Sequence, residues 1–292
     1  MATAGAIPAK GLTEALPPPL RSGLVLAGGL ALSAGVVLLA PVLMSRLLAV
    51  PSIAAVDAAW LEGVFVSAVF GLLALAALVA LRLSGRSTGW GALPLAGAGL
   101  GLTLGIGGIG AALLLCHVAG TLVPGADAGI GLGALLGGTL AMLAQTAAEE
   151  YYFRGWLQPA VIAGWGRWPG LAATALGFAA VHFVSAAGAP LALLNLTLAG
   201  LWLGLLAERS GGLALPIAGH FGWNWAEELL FGAAPNPGVG NFGAMLDYDF
   251  AGSALWGGSP EALNASLAEG FVLAALVAAA VLWPGGQASS RT

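Results

Sequence analysis

Glu149, Glu150 and Arg154 stand together in QTAAEEYYFRGW, His182 lies in GFAAVHFVSAAG, and His220 and Asn224 lie in IAGHFGWNWAEE. Glu150 and Arg154 are four residues apart, share a helix face and can pair. The arginine also suits the carbonyl end of a helix. Glu149 lies about 100° around the helix from Glu150 and need not share that arginine. One carboxylate is then neutralised, and the other is free to face a pocket as a general base. The plainer alternative is that both glutamates mark the exit of the helix into water.

A lone histidine in an apolar helix, as at His182, points to function more than to packing. Phe178, four residues earlier on the same face, can wall a pocket or simply pack. His220 and Asn224 also share a face, which implies a cavity or an interhelical hydrogen bond. If the three segments converge, a carboxylate beside a neutral imidazole can polarise a water for attack on a carbonyl carbon. The second imidazole and the amide can donate to the oxyanion that develops. Such a set hydrolyses an amide without a serine or cysteine nucleophile. No HExxH signature is present. Glu149, His182 and His220 can equally hold Zn²⁺ with a fourth position open to water.

These side chains must be positioned inside lipid. Of 292 residues, 59% are hydrophobic and 8% charged, far below the roughly 25% charged of a soluble domain. The mean hydropathy is +0.94. The expected fold is all-α, a polytopic membrane bundle of about eight helices. The segments lie near 23–45, 62–82, 92–122, 131–153, 169–187, 190–207, 212–232 and 267–284. Residues 1–22, with Lys10, Glu14 and Arg21, read as a short cytoplasmic leader, and 23–287 as one transmembrane domain with a catalytic core at 130–232. The Gly- and Pro-rich stretch 233–266 reads as an external loop. The glycines of 92–122 suit either close helix packing or a biased composition.

With an even number of spans and a cytoplasmic N-terminus, Lys10, Arg21, Arg82, Arg86, Arg154, Arg167, Arg209 and Arg291 face the cytoplasm, and Arg46 alone lies opposite. Asp57, Asp127, Asp247, Asp249 and Glu261 then fall outside. Both termini are placed in the cytoplasm, and the chain in a bacterial inner (plasma) membrane. The net charge of −4, with no basic cluster, argues against nucleic acid. Cys116, the single cysteine, excludes an internal disulfide. Glu227 and Glu228 are expected to be solvated or paired near the interface. His117 is expected to make a structural polar contact, and Asn195 and Thr197 interhelical hydrogen bonds.

EEYYFRG resembles the EExxxR motif of the CAAX-prenyl-protease and bacteriocin-processing (CPBP, or Abi) family. FAAVH resembles its FxxxH motif and HFGWN its HxxxN motif, in the family's order, over about residues 130–232. The resemblance implies an intramembrane endopeptidase with a cytoplasm-facing site and a peptide or protein substrate at the bilayer. Glu149 would activate water with His182, His220 and Asn224 would hold the oxyanion, and Glu150 and Arg154 would position Glu149. Members have been described as metal-dependent and as glutamate-type, so the cofactor stands as none or Zn²⁺. The Ala/Gly-rich composition looks bacterial, which favours peptide processing or bacteriocin self-immunity over prenylated substrates. A non-catalytic scaffold or a small-solute transporter is the alternative.

Overall fold

Helix ends are written into the chain at several places. Pro18, Pro51, Pro94 and Pro190 sit in first turns, where the missing N–H has no intrahelical partner to lose. Asp57 caps its helix by accepting from the backbone N–H of Ala59 and Trp60. Gly211, at φ 65°, ends another in the left-handed conformation. The resulting helices are α1 (Pro18–Leu48), α2 (Pro51–Ala54), α3 (Ala58–Leu83), α4 (Pro94–Val118), α5 (Leu132–Glu150), α6 (Gln158–Trp165), α7 (Arg167–Ser185), α8 (Pro190–Ser210), α9 (Ala214–Trp225) and α10 (Leu267–Leu282). The computed structural model describes residues 16–126, 129–185, 189–233 and 240–283. Lys10, Glu14, Asp127, Arg291, most of the leader, residues 234–239 and the end of the expected domain lie outside the described residues.

The fold is an all-α membrane bundle. By length and composition α1, α3, α4 and α8 can each cross a bilayer, and α10 is a shorter apolar helix. Each of the eight sequence segments coincides with a helix over most of its described length; the third overruns α4 into a turn and β1 (Leu122–Pro124), and two further differences bear on the site and the leader. α1 begins at Pro18, so Arg21 is helical and not part of a leader. The fourth segment does not stop near residue 153. α5 passes through a π-helical turn, Tyr151–Leu157, into α6 without a break. Aromatic and charged residues there signal an exit into water, but tertiary packing buries them and the helix continues.

Basic residues gather at one end of the bundle. Leu213 N–H donates to Gly89 O at 2.9 Å, bringing the α3–α4 and α8–α9 connections together beside Arg82, Arg86 and Arg209. Arg167 pairs with Glu208 at 2.7 Å, and Trp165 Nε1 donates to Pro19 O at 2.9 Å near Arg21.

The glycines of α4 serve close approach. A Cβ on Gly101 would stand 2.5 Å from Leu215 O, and one on Gly105 would collide with Gly219 O and with Trp223 N at 2.5 Å. α4 and α9 therefore touch backbone to backbone, and this seam fixes the helix that carries His220 and Asn224. Gly105→Ala is expected to destabilise the protein by about 1–3 kcal/mol, as overpacking does. Gly107→Ala, whose Cβ would meet nothing within 4 Å, is the matched control. Thermal unfolding in detergent separates the two.

The stretch after α9 is tied down. β2 (Tyr248–Phe250) pairs antiparallel with β1 (Leu122–Pro124). Phe242 is buried against Gly63, Gly137 and Gly138 of α3 and α5. Asn241 N–H donates to Glu62 at 2.9 Å.

Candidate active site

Glu149 and Glu150 lie mid-way along the continuous α5–α6 rod, not at its end, at 3% and 0% exposure. Arg154 is buried as well, so it leaves the count of cytoplasmic basic residues. Its Nη1 donates to Glu150 Oε1 at 2.8 Å, and its Nη2 donates to Gly200 O of α8 at 3.1 Å. One turn on, Gln158 Nε2 donates to Gly204 O at 3.0 Å. The guanidinium also lies over Phe178, 4.6 Å from the ring centroid. Glu150 and Arg154 thus fasten the rod to α7 and α8.

Glu150 Oε1 has a second partner, His220 Nδ1, at 2.9 Å. A carboxylate only accepts, so Nδ1 of His220 carries the proton. His182 is fixed in the same sense: its Nδ1 lies 2.8 Å from Phe178 O, a carbonyl that can only accept. When these rings are neutral, Nε2 is therefore the lone-pair nitrogen. His182 Nε2 stands 3.7 Å from Glu149 Oε2. Gln145 Nε2 makes a long contact, 3.5 Å, with the other oxygen of Glu149 and leaves Oε2 without a hydrogen-bond partner.

Glu149, His182, His220 and Asn224 all line one cavity of about 370 Å³. Much of the remaining wall is apolar, from Val37, Pro41 and Met44 of α1, Val66 and Phe70 of α3, and Phe178. The six residues picked from the sequence converge: four on the cavity, with Glu150 and Arg154 behind them. The reading that the glutamates mark a helix exit is overturned by their burial. Phe178 does wall the pocket.

Gln145, four residues before Glu149 and so on the same helix face, is a further cavity residue that the motifs do not include. Asn264 and Glu269, also on the cavity wall, come from segments with no motif. Glu227 and Glu228 are buried in the π-helical turn Ala226–Leu230 and not solvated, which leaves the paired alternative of that expectation. Asn195 Nδ2 does make tertiary bonds, to Asn264 O at 3.0 Å and Ser266 O at 2.9 Å. Thr197 instead bonds within its own helix, to Leu193 O, satisfying its hydroxyl locally. His117 is exposed, beside Tyr248 on a smaller cavity, and Cys116 is fully buried among apolar neighbours.

The donor chemistry of a zinc site is present in part, since both Nε2 atoms offer lone pairs and both Nδ1–H groups are held from behind. The spacing does not match. Among the described residues no three His, Cys, Asp or Glu side chains come close enough together to hold a metal ion. His220 is drawn toward Glu150 and His182 toward Glu149, so Glu149, His182 and His220 do not form a ready ligand set.

A family model described as type II CAAX prenyl endopeptidase Rce1-like matches residues 131–226. That span holds all three motifs and the resemblance read from them. No curated protein and no solved structure matches the chain. The family match supports a peptidase, and with the apolar helices an integral membrane protein acting on a peptide or protein substrate.

Proposed function

We propose that the chain is an intramembrane endopeptidase in which Glu149 and His182 activate water directly, without a metal. One observation carries this reading: Glu149 Oε2 and the lone-pair Nε2 of His182 face each other at 3.7 Å on the cavity wall. Two acceptors at that separation are bridged by a molecule that donates to both, which a water does. Its oxygen is then the nucleophile. On attack a C–O bond forms to the peptide carbon and the water proton passes to Glu149 or His182. The oxyanion is held by Asn224, whose Nδ2–H donates as it stands. His220 adds a second donor when its Nε2 has taken a proton from solvent before attack, with Glu150 Oε1 beside Nδ1 to stabilise the imidazolium. Collapse breaks the C–N bond, and the leaving amine takes the proton from Glu149 or His182. Glu150 and Arg154 position this machinery. The end of the bundle rich in Arg82, Arg86, Arg167 and Arg209 is the cytoplasmic one in this reading.

Hydrolysis of a membrane peptide by protein reconstituted in liposomes, run in ¹⁸O-water with hydroxylamine present, tests it. Direct attack puts one ¹⁸O into the new carboxyl group and yields no hydroxamate. A hydroxamate would mean an acyl-enzyme and overturn the proposal. Asn224→Leu is expected to lower kcat about 100-fold with little change in KM, the effect of losing one oxyanion donor.

A further inference from the structure

The cavity continues past the reacting groups to Asn264 and Glu269, which no motif covers. Glu269 sits in the first turn of α10, its N–H bound to Ser266 Oγ at 3.1 Å. Its side chain is 3% exposed, and Glu227, from the π-helical turn after α9, is 1% exposed and close enough for the two charges to act on each other. Oε2 of each has no hydrogen-bond partner, and among the described residues Lys or Arg ion pairs go to Glu150 and Glu208 only. A third acceptor adjoins them. Asn195 is fully buried, both of its Nδ2 bonds clamp the chain at Asn264 and Ser266, and its Oδ1 has no partner. That oxygen faces α10 beside Glu269, since a Cβ on Gly270 would stand 2.9 Å from it.

Buried carboxyl groups without a cation are unfavourable, and at membrane depth they persist where they meet a partner or a cavity. Here all three side chains offer acceptor oxygens, and among the described residues no Lys or Arg lines the cavity. We propose that Glu269, backed by Glu227 and the Asn195 carbonyl, is a specificity subsite for a cationic group of the substrate peptide, the ammonium or guanidinium of a Lys or Arg side chain. This rests on the peptidase reading. It gives the apolar cavity two polar ends: Glu149 and His182 meet the scissile bond, and the acidic end sets the register of the peptide by binding a basic residue.

The test uses full-length protein in nanodiscs and a fluorescein-labelled Leu/Ala-rich host peptide in which one Lys is walked along the chain, each against norleucine at the same position. Binding is measured to the Glu149→Gln variant and cleavage to the parent. At one position Lys should bind about tenfold tighter than norleucine, as expected for a charged hydrogen bond made in a desolvated site. Adding Glu269→Gln should collapse that ratio toward one. The peptide comparison needs no change at residue 269, so it stands whether or not that variant folds. Equal binding of Lys and norleucine peptides at every position overturns the subsite, as does a preference that survives Glu269→Gln. Cleavage without any Lys preference removes the subsite alone. A Lys preference in binding with no cleavage by the parent supports the subsite and counts against the peptidase.

Discussion

Glu149→Gln should abolish turnover, lowering kcat by about 10³-fold or more while the protein stays folded. The substitution keeps shape and removes the base. General-base catalysis contributes about 10²–10⁴-fold, and in the proposed mechanism the same oxygen also orients the nucleophile against His182. Glu149 takes no part in the Arg154 pair, and its contacts are the long one to Gln145 and the facing His182. Melting in detergent should therefore change little. Single-turnover cleavage with the melting curve alongside is the measurement. A folded variant that cuts at the parental rate would remove Glu149 from the chemistry.

Arg154→Ala should be the most damaging single change to stability, by about 3–5 kcal/mol, the cost of leaving a buried charge without its partner. Glu150 would keep His220 alone, and the rod would lose the Gly200 contact of α8. Glu150→Met with Arg154→Met removes both charges at similar volume and should recover much of that loss. It should not recover activity, because His220 Nδ1 would then have no acceptor and its ring no fixed tautomer. Thermal unfolding of the single and double variants beside the parent, together with their cleavage rates, decides this. A double variant as unstable as the single one would mean that the charge pair is not what Arg154 supplies.

The i, i+4 spacings were the legible part of this site. Glu150 with Arg154 and His220 with Asn224 place each pair on one face, and hydrophobic lengths marked helix for every segment. Nothing in those spacings tells that His220 reaches Glu150 and not Glu149. That depends on the α4–α9 glycine seam, a tertiary contact that local pattern does not encode. The run YYFRGW looked like a helix leaving the membrane because charge and aromatics commonly mark an interface. Burial against α7 and α8 overrode that signal. Glu227, Glu269 and Asn195 come from three separate stretches and acquire a common meaning only when the helices pack.

The π-helical turn at Tyr151–Leu157 divides the rod into two registers. Such a turn accommodates one surplus residue in an otherwise α-helical path. Shortening the chain by that residue would leave the two glutamates in place and swing everything beyond by about 100° with a shift of about 1.5 Å. Gln158 would lose Gly204, and Trp165 would lose Pro19. The upstream half could then keep its acids while the downstream half lost its moorings, so chemistry and anchorage are separable functions of one helix, hinged at a single extra amino acid.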